Sequence, residues 1–363
     1  MALFDPNELN FNGDELKSSA TAVFESAFST QAVGELMTVV NGIKAKTQIA
    51  ILGRFTSLLG NGSGLCKTEG RTVKTSMSQK LWEPATVSDK IGYCWNDLKG
   101  TFWIWGTKNG IAKADLTATD FLIYIEELLT VELKETVLRI GWFNDTDAAN
   151  FNDSPAGVIT NTTDLAFFNK IDGIWKQLFT IGTANAARIT SVSSGITAKN
   201  GQANYTLQAF DATDTTNRIV MKTLENMGYE ADSRLMEQEG IVYIATKSVY
   251  DQYQKELKAA NIAYTTERLE NGMTQLICGG ITIVRYEFWD RMIKAHFNNG
   301  TKYHIPHRVI LANPDNLQIG TEDESTLSEY KVWFSEDDDT VYVKFQFDID
   351  AKVIEDEMVQ MAY

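Results

Sequence analysis

Three histidines, His296, His304 and His307, are the chain's whole stock of imidazole. His304-Ile305-Pro306-His307 puts two of them three residues apart, a spacing that makes a metal-binding face when it lies on a helix. Pro306 bars a helix there, so that face does not form. Asp145-Thr146-Asp147 and Asp337-Asp338-Asp339 have the carboxylate density of a calcium loop. Neither carries the glycine and the distal glutamate such a loop needs, so both read as solvated acidic turns. Asn61-Gly62-Ser63-Gly64 is a glycine cluster without the strand–helix frame that would cradle phosphate, and neither a Gly-x-Ser-x-Gly elbow nor a phosphate loop occurs. Cys66, Cys94 and Cys278 are far apart, with no Cys-x-x-Cys pair to suggest zinc. Their odd number points to a reducing compartment. The spatial pairing of carboxylates for glycoside hydrolysis is invisible in a sequence, and among 48 acidic residues some lie close by chance. The residues therefore nominate no catalytic group, no metal site and no cofactor, and the chain is expected not to be an enzyme.

The surroundings of these groups are better defined than the groups themselves. A chain of 363 residues exceeds the size at which one core usually stops growing, so two lobes or long excursions are expected. Apolar residues make up 44%, enough to bury a substantial core. The formal net charge of -15 argues against nucleic-acid binding through a broad basic face and suits a soluble protein that avoids premature association. No run of about twenty apolar residues suggests a membrane span. Met1-Ala2-Leu3-Phe4-Asp5-Pro6 lacks the basic and apolar regions of a signal peptide, which makes the Asn-x-Ser/Thr matches at Asn61, Asn161 and Asn204 fortuitous.

Along the chain, Leu16, Ala20, Val23, Phe24, Ala27 and Phe28 form the apolar stripe of a helix that begins near Asp14. It is either an ordinary core helix or one that packs on a neighbouring subunit. Residues 41–66 are glycine-rich, and Lys67, Arg71, Lys74 and Lys80 follow in a polar, locally basic stretch with little apolar mass. This reads as a long two-stranded excursion, unstable by itself, that ends at Trp82-Glu83-Pro84. Phe102, Trp103, Ile104 and Trp105 read as a core strand covered on both faces. Thr117 and Asp120 form a capping box before a helix that carries Phe121, Ile125, Leu128, Leu129, Leu133, Val137 and Ile140, with Gly141 as its stop. Phe167 to Leu178 suggests another helix, interrupted near Gly173. Residues 182–204 read as a crossing between lobes, and 211–228 as one helix ended by Gly228.

From Gly240 to Asp290 the pattern is strand, helix, strand, turn, strand. Ile241 to Ala245 is a strand, Thr246 or Ser248 caps a helix carrying Val249, Tyr250, Tyr253 and Leu257, and Asn271-Gly272 marks a hairpin turn. Gly279-Gly280 separates two further strands. After Pro306 the texture is strand-rich, ending in a hairpin across residues 335–339 whose second strand alternates Val341, Val343, Phe345 and Phe347 with polar residues. The fold class is α+β.

The order of these pieces resembles the major capsid protein of tailed bacteriophages, the Hong Kong 97-like fold. Two stretches carry the likeness: YIATKSVYDQYQKELKAA with NGMTQLICGGITIVRYEFWD, and HRVILANPDNLQIGTE with VYVKFQFDIDAKVIE. The resemblance implies an N-terminal arm (1–45), an extended β-hairpin loop (46–90), a peripheral domain (91–204, spine helix 120–140), an axial α/β domain (205–304) and peripheral return strands (305–363).

It also implies a structural function: self-assembly as hexamers and pentamers of an icosahedral shell around double-stranded DNA, in the host cytoplasm and then the virion. The partners are then other copies of the chain, a portal, decoration proteins and, because few residues precede the arm, a separate scaffold protein. DNA would be enclosed without sequence-specific binding, and no membrane is involved. Some members crosslink through lysine and asparagine, but no motif here selects such a pair. Candidate inter-subunit residues are Phe24, Phe28, Lys67, Arg71, Lys74, Lys80 and Trp82. The alternatives are an encapsulin-like protein compartment, a secreted carbohydrate-binding or adhesive protein suggested by the tryptophans and Thr/Asn loops, and a hydrolase using acidic residues.

Overall fold

The computed structural model describes residues 13–28, 36–44, 46–52, 77–112, 116–154, 157–190, 192, 210, 212–263, 267–268, 274–298, 303–322 and 330–363. The first elements are α1 (Gly13–Phe28), β1 (Thr38–Asn41), β2 (Gln48–Leu52), β3 (Met77–Leu81), β4 (Ala85–Cys94), α2 (Trp95–Lys108) and the long α3 (Ala118–Phe143). Next come α4 (Thr162–Phe168), α5 (Ile174–Ala184), β5 (Ile189–Thr190), α6 (Ala212–Asn217), α7 (Ile219–Glu230) and α8 (Ser233–Met236). They are followed by β6 (Val242–Ala245), α9 (Lys247–Ala259), β7 (Glu267–Arg268), β8 (Thr274–Cys278), β9 (Ile281–Arg285) and α10 (Glu287–His296). The last strands are β10 (Val309–Ala312), β11 (Leu317–Thr321), β12 (Lys331–Ser335), β13 (Thr340–Val353) and β14 (Val359–Ala362). Mixed helix and sheet agrees with the α+β expectation.

The strands form two large sheets and one two-stranded ribbon. In the five-stranded sheet β13 is the long central strand. β4 runs antiparallel along one edge, from Ala85 opposite Ile349 to Cys94 opposite Thr340. Along the other edge lie β12 and then β11, with β1 parallel to β11 outside them. Val341, Val343, Phe345, Phe347 and Ile349 are buried while the residues between them are only half-buried, as the alternation predicts. The buried face packs on α3. That helix is 26 residues long, about 39 Å, and starts at the expected box: Thr117 Oγ1 accepts from Asp120 N, and Thr117 N donates to Asp120 Oδ2 at 2.8 Å.

The seven-stranded sheet has the order β5-β14-β10-β6-β9-β8-β7, with β6 parallel to β9 and β10 antiparallel to both β6 and β14. Its central strands β6, β10 and β14 are buried on both sides because both faces are covered there, whereas β8 leaves Ile277 67% exposed. Ile244, Val284, Ile310 and Met361 face the core shared with α3, α5 and α10. Tyr243, Ala245, Ile283 and Leu311 face a second core under α7 and α9. The two lobes meet at three tryptophans: the Trp289 ring on α10 stands edge-on at 4.9 Å to both Trp142 and Trp175. β8 and β9 are joined through Gly279 and Gly280, both at positive φ, the conformation a tight hairpin turn demands. Asn271-Gly272 lies outside the described residues.

Several sequence expectations need correction. The aromatic run at 102–105 is helix, not strand. Leu98, Phe102 and Gly106 recur at helical spacing and are buried, and four adjacent large side chains had masked that period. Gly141 does not stop α3. It lies within the helix because a Cβ there would stand 3.0 Å from Ile319 Cδ1. The crossing expected from residue 182 begins later, since α5 runs to Ala184. The single helix expected over 211–228 is two, broken at Arg218 (φ 53) and continuing through Gly228 to Glu230. The buried Glu256 carboxylate holds the restart, accepting from Val220 N (3.1 Å) and Met221 N (2.7 Å), and burial raises its pKa. The strand block 305–363 divides between the sheets: β11, β12 and β13 enter the first, β10 and β14 the second.

Candidate functional site

The chemical candidates are absorbed by structural contacts. His307, 1% exposed, shares a 2.7 Å hydrogen bond between its Nδ1 and Ser248 Oγ, and its ring lies 4.6 Å from that of Phe210. His304 stands beside Phe179, with its pKa pushed down to about 3 by burial and then by the charge of Arg308. Asp145 and Asp147 both hold Lys176, at 2.7 and 2.9 Å. Asp338 accepts from Ser335 and Tyr342 and so closes the acidic turn. Among the described residues no group of three or more His, Cys, Asp or Glu is placed to hold a metal, and no helix is long and apolar enough to cross a membrane. Cys94 is exposed and Cys278 buried, while Cys66 lies outside the described residues. Of the expected caps on α9, Thr246 makes no side-chain cap; the amide of Lys247 donates instead to Asp290 Oδ2 at 2.7 Å.

The expected excursion has a well-defined root. β2 and β3 pair antiparallel from Gln48–Leu81 to Leu52–Met77 and form a sheet of their own. Below them Trp82 N donates to Thr47 O (3.0 Å), and Lys46 N to Trp82 O (2.9 Å). Trp82 is 3% exposed and lies over Gly320 in β11. A Cβ at 320 would come within 2.8 Å of its ring and 2.7 Å of Ile43 Cδ1, so only glycine admits this plug. Glu83 N donates to Asp350 Oδ2 at 2.7 Å. Asp350 is 2% exposed, and burial raises its pKa against the opposing pull of Lys352 at 3.4 Å. Lys80 reaches past the root to Asp356 and to the Val353 carbonyl, each at 2.5 Å.

Of the candidate contact residues, then, the structure brings Lys80 and Trp82 together at the root, both engaged within their own chain. Lys67, Arg71 and Lys74 lie outside the described residues. Phe24 and Phe28 fall within α1, whose Ala20, Val23 and Ala27 are buried in the core shared with α3. Those three positions are core; the inter-subunit candidates Phe24 and Phe28 have side chains outside the described set. Sequence reasoning missed Gly320, Asp350 and Asp356. A glycine inside the strand Leu317-Gln318-Ile319-Gly320 was the available sign of a close approach. The role of Asp350 had no such sign, because it depends on what covers the open side of β13.

No family model and no curated protein matches the chain. Among solved structures, a chain of the satellite phage P4 procapsid including its size determination (Sid) protein is similar over 94% of this chain and 97% of its own, at 12% identity and a TM-score of 0.54. An encapsulin from Synechococcus elongatus is similar over 92% and 87%, at 7% identity and TM-score 0.45. A chain of Microbacterium phage Oxtober96 is similar over 92% and 90%, at 12% identity and TM-score 0.45. The first likeness shows the fold: this chain folds, nearly end to end, like a chain of a phage procapsid.

Proposed function

We propose that the chain is the major capsid protein of a tailed bacteriophage, assembling as hexamers and pentamers into an icosahedral shell around double-stranded DNA. The observation that carries this reading is the similarity to the P4 procapsid chain over almost the full length of both. On this reading the five-stranded sheet with α3 as spine is the peripheral domain, and the seven-stranded sheet with α7 and α9 is the axial domain. The β2/β3 ribbon is the base of the extended loop, clamped by Trp82, Asp350 and Lys80. The chain acts by surface, not by catalysis. Ala20, Val23 and Ala27 of α1 are spent on its own α3, so arm contacts with a neighbour fall to other residues of 1–45, Phe24 and Phe28 among them.

Expression of the full chain, alone and with a candidate scaffold protein, followed by negative-stain imaging and nucleic-acid analysis of particles from infected cells, tests the reading. Closed shells that hold DNA are expected. A chain that stays monomeric under every condition overturns it, and shells filled with protein cargo and free of DNA assign the encapsulin-like alternative. Limited proteolysis adds a second measure: residues 1–12 and 60–76, which precede α1 and the clamped root, should be cut in the free subunit and protected in shells.

A further inference from the structure

Arg308 immediately precedes β10, and its backbone is fixed by Thr246, whose amide donates to Arg308 O at 3.0 Å. Its side chain is buried, at 1% exposure. Nε donates to Ile305 O at 2.8 Å, and one terminal nitrogen donates to His304 O at 3.2 Å. The guanidinium carbon lies 4.8 Å from the Trp175 ring, 5.4 Å from Phe143 and 5.5 Å from Phe179. No described carboxylate supports this charge. Burial pushes the guanidinium down to about 9, and among the described residues the opposing influence is the phenol of Tyr363. The group is therefore a cation at neutral pH. The two nearest basic neighbours do not alter this: His304 is neutral, and Lys176 is engaged by Asp145 and Asp147.

A buried cation without a counter-ion is costly, and aromatic faces offset only part of that cost. Beside Arg308 lies a cavity of about 70 Å³. Phe143, Val158, Ile159 and Phe297 supply apolar wall, and the Asp145–Lys176 pair lies at its lining. At roughly 10–15 Å³ of such space per water, it has room for several waters and so admits a carboxylate with one or two methylenes. A guanidinium binds a carboxylate in plane with two parallel hydrogen bonds. The apolar wall suits the short stem and disfavours a strongly hydrated phosphate dianion.

We propose that this cavity is a binding site for one small carboxylate, –CH2–COO⁻, held by Arg308, and that in an assembled shell an acidic side chain of a second copy of this chain supplies it. The second clause rests on the capsid reading; the first does not.

Carboxyl-labelled ¹³C-acetate titrated into the purified, unassembled full chain reads the site directly. Protein-dependent broadening of the acetate line, reversed by unlabelled propionate but not by chloride or phosphate at equal ionic strength, is expected. Arg308→Lys should weaken binding at least tenfold. Should that variant not fold, Ala148→Phe narrows the cavity lining with Arg308 intact and should abolish the broadening. No broadening with the wild-type chain, equal competition by phosphate, or unchanged binding in Ala148→Phe overturns the site. In shells the acetate response should disappear because the site is filled, whereas binding as strong as in the free subunit overturns the second-copy source and leaves the free-acid site standing. If no shells form, the free-subunit result still decides the site, and the second-copy source falls with the capsid reading.

Discussion

The five-stranded sheet keeps one face half-open, whereas the seven-stranded sheet is covered on both at its central strands β6, β10 and β14. In β13 the chemistry of neighbouring residues alternates, Val341 and Val343 inward, Tyr342 and Lys344 outward. In β10 all four residues, Val309 to Ala312, are buried. The difference lies in what each sheet leaves available. A sheet closed on both faces has only its edges and loops to offer a partner. A sheet with a half-open face can accept further chain, and here it has done so once: the hairpin root covers Asp350 from outside.

The sharpest break of the comparison is at the junction. Trp289→Ala removes the ring between Trp142 and Trp175 and should cost about 3–5 kcal/mol in urea unfolding. Both lobes should lose stability in one transition; two separated transitions would show that the sheets are independent. Next, Ile310→Ala and Leu311→Ala, neighbours on opposite faces of β10, should each cost about 2–5 kcal/mol. On β13, Phe347→Ala should cost about 3–5 kcal/mol, but its neighbour Gln346→Ala only about 0.5 kcal/mol or less. Equal costs at 346 and 347 would show that the open face is not open.

A smaller effect is expected from His304. Its folded pKa is about 3, against 6.5 for a free histidine. Below pH 6.5 the unfolded chain takes up a proton that the folded chain refuses until about pH 3. The contribution is therefore whole above pH 6.5 and declines across that window, by at most about 1.4 kcal/mol per pH unit. Denaturation midpoints of His304→Gln should vary less with pH there; an unchanged slope would show that the imidazole is not shielded. The smallest change is expected from Lys80→Met. The Lys80–Asp356 pair is partly exposed, so subunit stability should fall by about 1 kcal/mol or less, with particle yield falling more because the root is loosened. Equal loss of both would make the pair merely structural.

Local signals were legible where one turn or one period decides the outcome. The Thr117–Asp120 box, the Gly279-Gly280 turn and the alternation of β13 all follow from residues within a few positions of each other. The helix at Trp95–Lys108 was hidden because aromatics satisfy a strand or a helix equally until their neighbours are known. The break at Arg218 depends on Glu256, 38 positions later, and the placement of Trp82 depends on Gly320. The buried charge at Arg308 was equally out of reach, since its three aromatic neighbours come from two separate helices and lie well over a hundred positions upstream.

The threading of the late strands sets a timetable for biosynthesis. β13 is the centre of one sheet, and β14 lies between β5 and β10 in the other. Neither sheet can close until the ribosome has delivered residues 340–362, so the two lobes mature together and late. A nascent chain stalled before residue 340 would hold a finished α3 and no finished lobe, and polysome-bound copies would have no completed face with which to associate.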